Sequence, residues 1–212
     1  MAVRANVLAF LTMGVFCASG PAMAVDPRYP DWPCQQLKVP KISAASIWTG
    51  GPIEGIDKSR FDDPAIADLV VRLAARRTPM DEAQKLIDEF VVGTNEARQA
   101  KATALFAATF SALNGQRDEV MNGIERFSRK EKDMAEEIRA KTRQMQHLQD
   151  TPDSDQQQVD KLASGLTWET RIFEERRKSL SYVCEVPTLI ERRMFDLAHA
   201  IENAANADPK AN

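Results

Sequence analysis

Residues 113–148 read LNGQRDEVMNGIERFSRKEKDMAEEIRAKTRQMQHL, and residues 159–201 read VDKLASGLTWETRIFEERRKSLSYVCEVPTLIERRMFDLAHAI. Large apolar residues recur in both stretches at seven-residue spacing. The outgoing set is Leu113, Val120, Phe127, Met134 and Leu148, with Ile124, Ile138 and Met145 between them. The returning set is Val159, Leu166, Phe173, Leu180, Met194 and Ile201, with Leu162, Val183, Ile190 and Leu197 between them. A repeat of this kind holds one side of a helix against a partner helix, so both stretches are predicted to be long helices.

The segment between the two repeats is a turn. Residues 150–155 read DTPDSD, which is polar and contains a proline, as is typical of a connection between helices. The sequence therefore predicts an antiparallel coiled-coil hairpin over residues 94–205. The apolar sets match best when opposed residue numbers sum to about 307. That register predicts an ion pair between Glu131 and Arg176 within the seam, and Pro187 predicts a bend in the returning helix.

Several seam positions interrupt the apolar repeat, among them Lys141 and Glu169 and, in the returning helix, Pro187. Lys141 and Glu169 are charged, and the sequence leaves open whether they face a second copy of the chain. A homodimer is therefore one alternative for the oligomeric state.

The residues before the hairpin predict a small helical base. Asp63 and Pro64 are typical of an N-cap and a first helical position, and a second short helix follows near Pro79. Their apolar faces are expected to pack on the alanine-rich segment 97–113, which gives a four-helix base from which the hairpin projects. We predict an all-α fold without a sheet, with a helical bundle over 63–206 and a flexible tail over 207–212.

The first 24 residues resemble a secretory signal peptide. Arg4 precedes an apolar run over 7–17, and Ala22-Met23-Ala24 matches a cleavage site. Cys17 raises the alternative of lipidation, which the bulky Phe16 before it disfavours. We therefore expect a periplasmic or secreted protein with no stable membrane insertion after cleavage.

Residues 25–62 are rich in proline and glycine and are predicted to be irregular. They also carry Tyr29, Trp32 and Trp48, whereas disordered segments are poor in large apolar residues. One interpretation is a strap that covers the core of the bundle. The other is an interaction surface formed by these three aromatic residues.

Cys34 and Cys184 remain after removal of the signal peptide. An even number of cysteines in a secreted chain predicts a disulfide, which would fasten the strap to the hairpin. The alternatives are an intermolecular bridge or two reactive thiols.

No catalytic or metal-binding motif occurs in the sequence. The Cys-x-x-Cys, His-Glu-x-x-His, Gly-x-Ser-x-Gly and Walker patterns are all missing, so we predict no cofactor, no metal and no catalytic residue. The formal net charge is −3 with both signs well mixed, which argues against a nucleic-acid partner.

These features favour a non-enzymatic interaction protein, an adaptor, scaffold or accessory subunit whose hairpin docks onto periplasmic or envelope proteins. The alternative is a holdase-type chaperone or stress sensor. The hairpin is similar in architecture to periplasmic stress-response chaperones, although Leu166-Thr167-Trp168-Glu169 continues without the glutamine of their Leu-Thr-x-x-Gln signature.

A small helical enzyme with an arginine-lined anionic pocket is the third hypothesis. Arg72, Arg76 and Arg77 resemble the helical arginines of secreted all-helical chorismate mutases, but the lysine, aspartate and glutamine pattern of that family is absent. A solvated arginine face at a helix C-terminus is the simpler interpretation of these residues.

Overall fold

The computed structural model describes residues 26–53, 63–152 and 154–207, and the regular elements of these ranges are all helical. They are α1 (Pro64–Ala74), α2 (Met80–Phe90), α3 (Asn95–Asp150), α4 (Gln156–Asn206) and a short 3-10 turn at Ala44–Ser46. The all-α prediction is confirmed for this part of the chain. The predicted signal peptide and positions 208–212 of the predicted tail lie outside the described residues.

The helices begin where the sequence supplies capping side chains. Asp63 accepts a hydrogen bond from the backbone N–H of Ala65 at 3.0 Å, with Pro64 at the first position of α1. Thr94 caps α3 and Asp155 caps α4 in the same way. Gly93, between α2 and α3, has a φ of 119°, a conformation that glycine adopts without strain.

The two long helices pack antiparallel along their length, which confirms the predicted helical hairpin. Helix α3 contains 56 residues, so it is roughly 84 Å long. Helix α4 continues through Pro187, whose side chain is buried. The bend expected at this proline stays a prediction.

The two short helices cover only one end of the hairpin. Helix α1 packs on α3, and α2 packs on α4. The side chains that are most deeply buried there include Leu73, Ile87, Leu105, Phe106, Leu197 and Ile201. Several buried alanines of α3 and α4 line the same core, because a methyl side chain lets helix backbones approach closely. We call this end of the molecule the base and the remainder of the hairpin the arm.

The described part of the strap, residues 26–53, crosses the hairpin and reaches the base. Trp48 stacks on Phe106 with ring centroids 4.2 Å apart, and its indole N–H donates to the carbonyl of Gly51 at 2.8 Å. A side chain at Gly50 would overlap the Trp48 ring, so this turn requires glycine. Within the ranges described, no helix combines the length and the apolar character needed to cross a bilayer.

Candidate interaction surfaces

The strap is joined covalently to the hairpin. Cys34 and Cys184 form a disulfide with an S–S distance of 2.00 Å and a Cα–Cα distance of 5.6 Å, as the sequence predicts. Disulfides persist in oxidising compartments, so the bond is consistent with a protein that works outside the cytosol.

The two tryptophans of the strap are directed inward. Trp32 packs on Met121 and Ile124 of α3 and donates its indole N–H to the carbonyl of Gln36 at 2.8 Å. Trp32 and Trp48 are each 8% exposed, while Tyr29 is half-buried. The burial of both tryptophans fits a strap that covers the core, and the interaction surface that they would form with Tyr29 stays a prediction.

Charged contacts fix the same part of the strap to α3. Asp31 accepts hydrogen bonds from Lys132 at 2.8 Å and from Arg129 at 3.1 Å. These hydrogen bonds, the one from Lys132 foremost, lower the pKa of the Asp31 carboxyl. Lys38 pairs with Glu125 and lies 4.8 Å from the centroid of the Tyr29 ring.

A buried arginine joins the strap to both long helices. Arg117 of α3 is 1% exposed, and its Nε donates to Glu191 of α4 at 2.6 Å. Its Nη2 donates to the strap carbonyl of Val39. Arg117 is not among the residues predicted from the sequence, although it lies four residues after Leu113 and hence on the seam. A positively charged residue at an otherwise apolar seam position is the feature of the sequence by which Arg117 could have been identified.

A second arginine fastens α4 to the end of α1. Arg193 donates from Nε and Nη2 to the carbonyl of Leu73, at 3.0 and 2.8 Å, and so satisfies one of the free carbonyls at a helix C-terminus. Partial burial lowers the pKa of its guanidinium. Nothing in the local sequence distinguishes Arg193 from the exposed arginines near it.

The arm contains two polar pairs in its seam. Arg176 lies 3.3 Å from Glu131, whose side chain is 8% exposed. Lys141 pairs with Glu169 across the same seam within one chain. In the register in which opposed numbers sum to about 307, Glu169 lies three residues from the position directly opposite Lys141. The long lysine side chain can span this offset.

The outer half of the arm is incompletely covered. Most of its seam residues are only half-buried, and the set includes Ile138, Met145, Leu148, Leu162 and Phe173. Two open grooves flank the buried Leu166, one on each side of the arm. One has a volume of about 460 Å³ and is lined in part by Met145 and Thr167. The other has a volume of about 330 Å³ and is lined in part by Leu162 and Gly165.

The face of α4 directed away from α3 also carries exposed aromatic side chains. Trp168 is 62% exposed and Tyr182 is 74% exposed. A shallow groove of about 370 Å³ runs along this face from Trp168 past Ile172 to Ser179. The apolar repeat that predicts the hairpin does not mark this face.

The arginines of the enzyme hypothesis lie on the surface of the base. Arg72, Arg76 and Arg77 are all exposed, and Arg72 lies 3.7 Å from Glu82. In the part of the chain that the structure describes, no cluster of three or more His, Cys, Asp or Glu side chains is placed to hold a metal ion.

Comparison with known proteins returned no family model, no curated protein and no solved structure that matches this chain.

Proposed function

We propose that this chain is a non-enzymatic interaction protein of the periplasm or the extracellular space that binds a helical segment of an envelope protein along its arm. The observation that supports this proposal is the half-buried seam around Leu166, with an open groove on each side of the arm. Export by the predicted signal peptide and the disulfide agree with this location.

The chemistry of the grooves suits an amphipathic helix. The two helices of the outer arm leave Met145 and Leu162 half-buried, and a third helix laid along either groove would bury one of them. Charged residues lie at the edges of both grooves, with Arg171 and Glu174 beside one and Lys141 beside the other. Their charges would select among partners, because a like charge on the incoming helix opposes docking.

The base and the strap give the arm a fixed origin. The disulfide, the Trp32 contacts and the Arg117 network all lie where the arm leaves the base. A partner held on the arm would therefore keep a defined orientation relative to the base, which is what an adaptor or scaffold requires.

The proposal is tested by capture from a periplasmic extract with a shortened arm. Removing 142–148 together with 159–165 deletes one heptad from each helix, and the register is kept because the deleted residues oppose each other. We expect the full chain to retain one or two defined proteins and the shortened chain to lose them. Equal retention by both chains, with equal thermal stability, would contradict docking on the arm.

A point variant localises the effect to one groove. Thr167 is an exposed residue at the edge of the groove that contains Met145. Thr167→Arg should abolish capture, while Gln146→Arg, at another exposed position of the arm, should leave it unchanged.

A holdase-type chaperone is the second candidate, because the exposed Trp168 and Tyr182 are side chains that unfolded segments bind. Suppression of the aggregation of several unrelated unfolded proteins, without stable capture of any one, would favour it. The enzyme hypothesis would be revived if no protein partner were recovered and a small anionic ligand raised the melting temperature.

A further inference from the structure

Helix α4 carries a second apolar repeat. Its members at seven-residue spacing are Trp168, Glu175, Tyr182 and Leu189, and those between them are Ile172, Ser179 and Val186. Each of the first four lies two residues after a position of the repeat that faces α3, and for Leu189 that position is occupied by Pro187. Two residues turn a helix by about 200°, so these four lie on nearly the opposite side of α4. Ile172, Ser179 and Val186 each come one residue before a position of the first repeat, about 100° from it, and so lie on the flank of the helix.

The outer part of this second face is free, whereas Val186 is half-buried and packs partly against the core of the base. Trp168, Tyr182 and Leu189 are 62%, 74% and 42% exposed, and the groove from Trp168 to Ser179 follows the face. Nearer the base, the same side of α4 is covered by other parts of the protein. There Arg193, four residues beyond Leu189, contacts Leu73 and Met80. The free part therefore extends outward from Tyr182, while Leu189 beside the base is partly exposed.

We propose that a second copy of this chain docks antiparallel on this face, α4 against α4. The second repeat has two kinds of position, those at the spacing of Trp168 and those between them, such as Ile172. In an antiparallel pair of helices, positions of one kind face positions of the other kind on the second copy. When opposed numbers sum to about 354, Trp168 of one copy faces Val186 of the other. Ile172 then faces Tyr182, and Glu175 faces Ser179. Every apolar position thus meets an apolar position, and the polar positions meet near the two-fold axis.

The small residue at the end of the contact fits the same register. Leu189 of one copy falls opposite Gly165 of the other. The space above Gly165 is open, with no atom within 4 Å of the place where a Cβ would stand. The contact from Gly165 to Leu189 is then roughly 36 Å long.

The flanking charges also favour this pairing. Arg171 of one copy approaches Glu185 of the other, and two-fold symmetry makes this pair twice. Lys178 approaches the Lys178 of the second copy near the axis, but each is paired at 2.9 Å with Glu175 of its own chain. Arg176 is likewise paired with Glu131 of its own chain.

A parallel pairing lacks these advantages. It would place Glu175 against Glu175 and would bring Arg171 toward Arg176 of the second copy. Like charges at these positions oppose association, so the charge pattern selects the antiparallel arrangement.

The test uses the full chain with charge reversals on this face. Arg171→Glu alone and Glu185→Arg alone each create two like-charge contacts in a homodimer, whereas a mixture of the two variants restores both pairs. We expect the unaltered chain to sediment as a dimer at concentrations on the order of 100 μM. We expect each variant alone to dissociate at least about tenfold more readily, and the mixture to form a one-to-one heterodimer.

Arg143→Glu is the matched control, because it makes the same charge change at an exposed position of α3. Trp168→Glu combined with Tyr182→Glu should abolish the dimer while the helical content is unchanged. A monomer at all concentrations would overturn the inference, as would a dimer that all these variants leave intact. The result is separable from the proposed function through the Trp168→Glu, Tyr182→Glu variant, because these two residues line neither groove beside Leu166, whereas Arg171 lines one of them.

Discussion

Removal of the Cys34–Cys184 disulfide should weaken the fold without releasing the strap. The bond joins positions 150 residues apart, so in the unfolded chain it closes a very long loop. The chain-entropy model assigns such a loop a stabilisation of about 5 kcal/mol, and removal of native disulfides typically lowers stability by about 2–5 kcal/mol.

The strap keeps other anchors when the bond is absent. Burial of a side chain such as Trp32 stabilises the folded state by roughly 2–3 kcal/mol. The hydrogen bond from Arg117 to the carbonyl of Val39 holds another part of the strap. We therefore expect the double variant Cys34→Ser, Cys184→Ser to retain its helices and the burial of Trp32. The effect of removing the disulfide should instead be a lower free energy of unfolding.

The assay is urea unfolding followed by far-ultraviolet circular dichroism. The double variant should lose about 2–5 kcal/mol in the free energy of unfolding, and its m value should rise because the unfolded chain without a cross-link exposes more surface. Reduction should move the unaltered protein to the same curve and leave the variant unchanged. Equal midpoints and m values for the variant and the oxidised protein would refute the reasoning.

Three further predictions concern charged residues. Glu131→Arg should destabilise the hairpin by about 1–3 kcal/mol, and adding Arg176→Glu should recover part of the loss in thermal unfolding. Arg117→Ala should lower the free energy of unfolding by about 3–5 kcal/mol, whereas Arg126→Ala, at an exposed position of the same helix, should change it by less than about 0.5 kcal/mol. Because the folded state lowers the pKa of Asp31, its contribution to strap attachment is present above the ordinary aspartate pKa of about 3.9 and is lost as the pH falls through the lowered value. Protease cleavage of the strap, measured against pH, should show this loss, and Asp31→Asn should remove the pH dependence.

The hairpin could be predicted because its signals are local and repeated. The apolar sets recur over many turns, and the ends of the helices carry residues that cap them, such as Asp63 and Thr94. Each signal depends on residues within one or two turns of the chain. A sequence pattern therefore suffices to predict two long antiparallel helices.

The path of the strap could not be predicted in the same way. The burial of Trp32 and Trp48 depends on pockets formed by α3, more than 50 residues later in the chain. An aromatic residue in an irregular segment is equally suited to a core or to a binding surface. Only the tertiary contacts distinguish the two.

The second repeat on α4 illustrates a different limit. Its members stand in the printed sequence, but Glu175 and Ser179 interrupt it, and it overlaps the repeat that faces α3. It becomes recognisable only when the first repeat has been assigned to a partner helix and the exposure of Trp168 is known.

The seam charges explain why the hairpin has a single register. Seven-residue repeats alone permit a slip by one heptad in either direction, since each slip again matches apolar residues over most of the arm. Lys141 and Glu169 pair in the observed register, as do Glu131 and Arg176. A polar group in a seam is tolerated when it is paired and is strongly destabilising when it is not.

Each one-heptad slip separates the paired charges and gives each charged residue a new, unfavourable neighbour. A slip that raises the sum of opposed numbers by seven puts Glu131 opposite Val183 and Arg176 opposite Ile138, so both charges lose their partner and face apolar side chains. A slip that lowers the sum by seven puts Glu131 opposite Glu169, which brings two carboxylates together within the seam. The interruptions of the apolar repeat therefore disfavour both neighbouring registers, and the same residues that weaken the seam as an apolar contact make its alignment specific.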